Sequence, residues 1–379
     1  MTKEEYKLYA YNIVYLISCF CNDKIPKKES LNELDLACLY EVAKRHSITS
    51  IVAYSLENAE MFDEQFNKER AKSTRRTIYF NIERTALISE LEKAKIWYMP
   101  LKGIIMQEYY PKNNMREMAD NDILFDKSRV DDIKIIMQKL GFEMEHDDSG
   151  HDLVFYKKPV CNFEMHTELF GIGEEDFFNN YYSDVKDRFI KNSSSGFGYH
   201  FSNEDFYIFM IAHEYKHFHM GGTGLRSLLD TYIFIQKFGN ILNWEYISSE
   251  FEKLGIAGYE KKSRELSLHL FSGMQLTPTE KELLDYYIYS GTYGTTQNAI
   301  DNMIGKMKPG KNRKWVYLLK RISVPFSKNN SYYKPYNARY PFFYKHKLLI
   351  PFLPIYRFLH ALFFSRKRIM TEIIYLVKK

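Results

Sequence analysis

Apolar side chains recur three and four residues apart at the start of this chain, at Tyr6, Tyr9, Ala10, Ile13, Val14 and Ile17. That period predicts an amphipathic helix. Leu36–Val42 and Ile51–Leu56 repeat the pattern as two shorter helices. Between Glu64 and Ala94 polar residues dominate, and Ile78, Phe80, Ile82, Ala86, Leu87 and Leu91 carry a narrower stripe. The spacing predicts one long helix, exposed or bridging two parts of the molecule.

After residue 95 the period shortens. Ile96–Leu101 is a β-rich run, Ile104–Tyr109 a brief helix, and Asp120–Phe125 a strand. Val130–Leu140 is helical, with Ser128 as its expected cap, Asp131 and Asp132 in the favourable first turn, and Gly141 as its stop. Phe142–Glu145, Leu153–Tyr156 and Asn162–His166 are three short strands. The order β-α-β-α-β-β-β describes a small mixed sheet carrying helices. Helices return after Gly171, first at Glu204–Phe218 behind an Asn203 cap, then at Leu225–Phe238 with Leu228, Leu229, Tyr232 and Ile235 on one side. Three more are expected near Glu245–Leu254, Tyr259–Phe271 and Thr279–Tyr287. The fold class is therefore α+β, a small mixed sheet flanked by helical regions. The expected division is residues 1–94, 95–172, 173–305 and a tail, 306–379.

Composition adds little except in its distribution. The 379 residues are 45% apolar and 27% charged, as in ordinary soluble proteins, with an aromatic content of 16%. Cys19, Cys21, Cys38 and Cys161 have no metal or disulfide spacing and read as reduced thiols. The N-terminus lacks a basic region followed by an apolar run, so a cytoplasmic location is expected. Leu348–Phe364 is the longest apolar stretch, but Pro351, Pro354, Arg357 and His360 within it argue against a membrane-spanning helix. The net charge of +5 hides an asymmetry: from Lys306 onward there are 18 Lys and Arg and one acidic residue, Glu372, against 35 basic and 47 acidic residues before it. Aromatics such as Trp315, Tyr317, Tyr332, Tyr333 and Tyr336 lie among those cations. The tail is expected either to fold over the acidic body or to meet an acidic partner: nucleotide, anionic polymer or inner membrane surface.

The candidate chemistry lies in the sheet. Side chains two apart on a strand share a face, so Asp120 and Asp122 should project together from either side of Asn121. Neighbouring carboxylates repel unless a cation lies between them, and a divalent ion is the usual one. Glu164, on a later strand, would complete the ligand set, and His166 shares its parity. Lys102-Gly103 sits at a strand-to-helix turn, where backbone and ammonium can meet an anion; Arg116 could serve the same anion.

Leu101-Lys102-Gly103, Tyr110-Pro111, Arg116 to Asp122, and Phe163-Glu164-Met165-His166 together resemble the bacterial uncharacterised nucleotidyltransferase family, within the polymerase-β-like superfamily. His213, Lys216-His217 and Leu225-Arg226 with Asp230 extend the resemblance over roughly residues 95 to 235. Asn121 departs from the apolar residue usual there, and Lys102-Gly103 from the usual Gly-Ser or Gly-Gly turn. The resemblance implies a nucleotidyltransferase in which Asp120, Asp122 and Glu164 bind two Mg²⁺ ions, or Mn²⁺. Glu164 would take the acceptor's proton, and Lys102, Gly103, Arg116, His166 and Arg226 would surround the triphosphate. The co-substrate is a nucleoside triphosphate, ATP by default, and the acceptor is left open among small molecules, glycans, peptides, proteins and RNA.

Two other readings compete. His213-Glu214-Tyr215-Lys216-His217 matches HExxH, the zinc-protease helix in which two His share a face and the Glu acts as base, although Met220 occupies the position where a metzincin would have Gly. Alternatively His213 and His217 line a cleft, with Arg226 and Asp230 paired on the next helix. The other competitor is a non-catalytic binding protein acting through the basic tail.

Overall fold

The computed structural model describes residues 1–27, 31, 34–145, 152–171, 176–305, 314, 316, 317, 319, 340–364 and 366–377. Trp315, Tyr332, Tyr333 and Tyr336 of the basic, aromatic stretch lie outside these residues. The chain begins with α1 (Lys3–Cys21), α2 (Leu36–Arg45), α3 (Thr49–Asn58) and the 30-residue α4 (Glu64–Lys93). Asp63 starts α4 by accepting the Phe66 amide at 2.9 Å, and the positive φ of Lys95, 56°, turns the chain out of it.

The expected sheet follows: β1 (Tyr98–Pro100), α5 (Gly103–Met106), β2 (Asn121–Phe125), α6 (Val130–Lys139), β3 (Glu143–Met144), β4 (Asp152–Lys157) and β5 (Cys161–His166). Its strand order is β1-β2-β5-β4-β3, with β2 and β5 parallel and every other pairing antiparallel. Register sets Asp122 opposite Glu164 and Leu124 opposite His166. After β5 come α7 (Asp176–Tyr181), a small hairpin of β6 (Ile190–Lys191) and β7 (Tyr199–His200), and then α8 (Asn203–Met220), α9 (Leu225–Phe238), α10 (Trp244–Lys253), α11 (Ala257–Ser272), α12 (Pro278–Ser290) and α13 (Thr296–Gly305).

Two expected caps are displaced. Ser128 does not cap α6: its amide and hydroxyl both donate to Asp126, which opens a 3₁₀ turn at 127–129 ahead of that helix. On α8 the cap is Ser202, whose hydroxyl accepts the Asp205 amide at 3.0 Å, rather than Asn203. In each case neighbouring polar residues compete for one amide, and the backbone entry angle selects between them.

The pleat sorts β2 between two hydrophobic clusters. Leu124 joins a large cluster that α1–α3 share with α8–α12, while Ile123 and Phe125 join a smaller one with Phe163 and Met165 of β5 and Ile133 and Met137 of α6. The helix α4 reaches both, contributing Phe66 to the large cluster and Phe80, Leu87 and Leu91 to the small one. The bridging alternative for this helix is thus the one observed.

Near the C-terminus, Leu353–Phe364 is an α-helix preceded by a 3₁₀ run, Lys347–Phe352. Pro351 sits in the 3₁₀ run and Pro354 in the first turn of the helix, where the missing N–H costs nothing. By length and composition alone, Lys347–Phe364 would suffice to cross a membrane, whereas Pro351, Pro354, Arg357 and His360 argue against it in the sequence.

Candidate functional site

The sheet face that carries Asp122 looks across a cleft of about 480 Å³ at α8 and α9. The eight residues expected at the metals and the triphosphate all line it: Lys102, Gly103, Arg116, Asp120, Asp122, Glu164, His166 and Arg226. Asp120 lies one residue ahead of β2 rather than on it, still on the cleft side. Asn121 between the two aspartates points the other way, fully buried, and accepts a hydrogen bond from Arg84 of α4 at 2.9 Å. That partner explains how a polar residue is accommodated where an apolar one is usual.

Asp122 is the hub. Its Oδ1 accepts from Lys102 Nζ at 2.9 Å and from His166 Nε2 at 2.7 Å, which leaves its other oxygen for a ligand. The opposite ring nitrogen of His166 meets Asp152 at 2.6 Å. Burial works to lower the His166 pKa, but these two carboxylates outweigh it and raise it to about 9, so the ring is an imidazolium donating from both nitrogens. Burial likewise works to raise Asp122, yet Lys102 and His166 hold it below the usual carboxylate range. Asp120 has no such partner: burial first, then Asp122 and Glu164, push it up to about 7. Glu164 is raised as well, by burial and by Asp122.

Three carboxylates facing one cleft, two of them reluctant to ionise together, form an oxygen donor set suited to a hard dication such as Mg²⁺. Asp122, Glu164 and His166 offer ligand atoms within 4.8 Å of one another. His166 would join only after losing its proton; as placed, it orients Asp122. Asp152, which the sequence reading passed over, holds His166 from the far side.

Lys102 adopts φ 45°, a conformation unusual for a residue with a side chain, and this turns its ammonium back to Asp122. Gly103 is required beside it: an added Cβ would lie 2.6 Å from Arg116 Nη1 and 2.9 Å from Met118 Sδ. Arg116, expected at the phosphates, is a buried fork on Asp230 of α9, with Nε and Nη2 each at 2.9 Å from a carboxylate oxygen. Tyr110 donates to the same carboxylate at 2.7 Å. The expected Arg226–Asp230 pair is therefore not formed; Arg226 donates to the Glu117 carbonyl at 3.2 Å and reaches the cleft wall.

The HExxH reading loses its base. His213 and His217 face the cleft with their Nε2 atoms 3.2 Å apart, but the Glu214 carboxylate is buried in the helical core, accepting from Tyr259 and Tyr287 at 2.7 Å and Ser263 at 3.2 Å. Among the described residues, the only group of three or more His, Cys, Asp or Glu placed to hold a metal is the one on β2 and β5.

Comparison with curated proteins and with solved structures found no match. The family profile described as "Uncharacterised nucleotidyltransferase" matches residues 32–272, which takes in the sheet, all of the cleft lining but Thr292 and Tyr293, and most of the helices behind it. With that span covering more than half of the chain, this protein belongs to the uncharacterised nucleotidyltransferase family.

Proposed function

We propose that this protein transfers a nucleoside monophosphate from a nucleoside triphosphate, ATP by default, to an acceptor hydroxyl, releasing pyrophosphate. The observation that carries the reading is the side-by-side placement of Asp122 and Glu164 on parallel strands, with Asp120 beside them and Lys102 at their edge. Family membership supports general nucleotidyltransferase activity, and the Asp-x-Asp pair with Glu164 supports the polymerase-β-like form of it.

Asp120, Asp122 and Glu164 would hold one or two Mg²⁺ ions, or Mn²⁺, which when bound neutralise phosphate charge and make the acceptor hydroxyl more acidic. The chain's own groups do the positioning. Lys102 can shift from Asp122 to a phosphate oxygen once another cation takes its place. Glu164, a third exposed while Asp122 is buried, is the carboxylate best placed to take the acceptor's proton. His166, clamped by Asp152, keeps Asp122 oriented. Arg226 stands on the α9 wall where it can meet the nucleotide. Arg116 acts from behind: its fork on Asp230 ties the Lys102–Asp122 segment to α9 and so fixes the width of the cleft.

The test offers the purified protein α-labelled nucleoside triphosphates with Mg²⁺ or Mn²⁺ and cell extract. Label should move to an acceptor with the wild type and not with Asp122→Ala. Transfer of γ-label instead would make the protein a kinase and overturn the reading.

A further inference from the structure

The C-terminal segment exposes apolar surface on a scale that folded, unpartnered proteins rarely show. Leu348 is 91% exposed, Phe363 82% and Phe364 77%, and only 6% of Lys347–Phe364 is buried. These residues do not stand alone. Lys345, Lys347 and Arg366 flank them, all exposed, and the sequence continues Lys367-Arg368. The tail's single carboxylate, Glu372, is turned inward, buried and accepting from Tyr317 at 2.8 Å. The outward surface is therefore cationic and apolar with no acidic side chain to oppose an anion.

The geometry points to docking of residues 340–364 and 366–377 on an anionic lipid surface, with Leu353–Phe364 lying in the plane of the headgroups. Exposed Phe and Leu insert into the acyl boundary while flanking Lys and Arg meet lipid phosphates, the two-signal arrangement that stable surface attachment requires. A spanning role fits less well. Lys347–Phe364 reaches a spanning length only with its 3₁₀ run counted in, and Pro351 lies inside that run. Arg357 and His360 also fall inside Lys347–Phe364. Nucleic acid would use the cations but has no place for exposed aliphatic side chains. The inference stands independently of nucleotidyl transfer, because it uses residues outside the cleft and its readout is lipid binding.

The test is flotation of the full-length protein with vesicles of phosphatidylcholine alone or mixed with phosphatidylglycerol. Binding should require the anionic lipid and weaken as salt rises. The triple change Leu348→Ser, Phe363→Ser, Phe364→Ser keeps every positive charge and removes only exposed surface, so folding should be untouched. It should lower anionic-vesicle binding by about tenfold or more. Equal binding to both vesicle types, or none to either, overturns the proposal. So does membrane-bound protein that resists alkaline carbonate, which would mean a spanning segment. A lipid-independent dimer that the triple change dissolves would assign the face to a second copy. Binding to duplex RNA or DNA without vesicle binding would assign the charge to nucleic acid.

Discussion

Two walls of one cleft bury carboxylates in opposite ways. On the α8 side, Glu214 lines the cleft but turns Oε1 of its buried carboxylate to three hydroxyl donors, Tyr259, Tyr287 and Ser263, with no other carboxylate among its hydrogen-bond partners. On the sheet side, Asp120, Asp122 and Glu164 face one another, and the positive charge available to them comes from Lys102, His166 and Arg226. Three hydroxyl donors on Oε1 give Glu214 neutral partners and no carboxylate in contact. Carboxylates crowded against each other are held at a free-energy cost that a cation relieves. Under the proposed function the contrast separates a structural acid from a working one, although the HExxH pattern around Glu214 is the more familiar sequence signal.

The largest effect that would break this comparison is on transfer itself. Asp122→Asn keeps the shape of the hub but removes its charge, and label transfer should fall about a thousandfold or more. An activity within a few-fold of wild type would move the chemistry elsewhere. Next is the tie between the walls. Asp230→Ala leaves Arg116 buried and unpaired, which should cost about 3–5 kcal/mol in denaturant unfolding, with transfer falling as the cleft loosens.

A smaller, titratable effect sharpens the sheet side. The folded-state value of Asp120, about 7, lies above its ordinary 3.8, so its proton-linked stability is full below 3.8 and is lost as pH rises through 7. His166 adds the same sign between 6.5 and about 9. Without divalent cation these two groups should therefore lower the melting temperature progressively from about pH 4 to about pH 9, and Mg²⁺ affinity by calorimetry should rise up to about pH 7 as the Asp120 proton is displaced, then level off. A flat affinity profile would mean that Asp120 holds no metal. Smallest is Glu214→Gln, which should lower stability by about 1–3 kcal/mol while leaving transfer within about threefold of wild type. Abolished transfer with intact folding would restore Glu214 as a catalytic candidate.

The succession of strands along the chain and the carboxylate pair were legible because both rest on period-two alternation, which is local; the order of the strands in the sheet was not. Asn121 could be recognised as needing a partner, but not that Arg84 supplies it, 37 residues earlier on α4. Asp152 was hidden in a polar run, Glu145 to Asp152, where one acid looks like the next. Only the β4–β5 register, which pairs it with His166, distinguishes it. Asp230 was assigned to Arg226 because i and i+4 are neighbours on a helix. The structure prefers Arg116, 114 residues away, because two forked hydrogen bonds in a buried setting outweigh one exposed helical pair.

The long helix α4 has a consequence for how the molecule comes apart. One continuous rod of 30 residues, about 45 Å, supplies Phe66 to one apolar cluster and Phe80, Leu87 and Leu91 to the other. Neither cluster can melt without stripping partners from that rod, and a helix deprived of packing over half its length is only marginally stable in water. The sheet and the helices around it should therefore unfold as a single unit, with amide exchange along α4 slowing to the global rate at both ends of the apolar stripe. The same coupling would make the spacing of the two walls a property of the whole body rather than of a hinge.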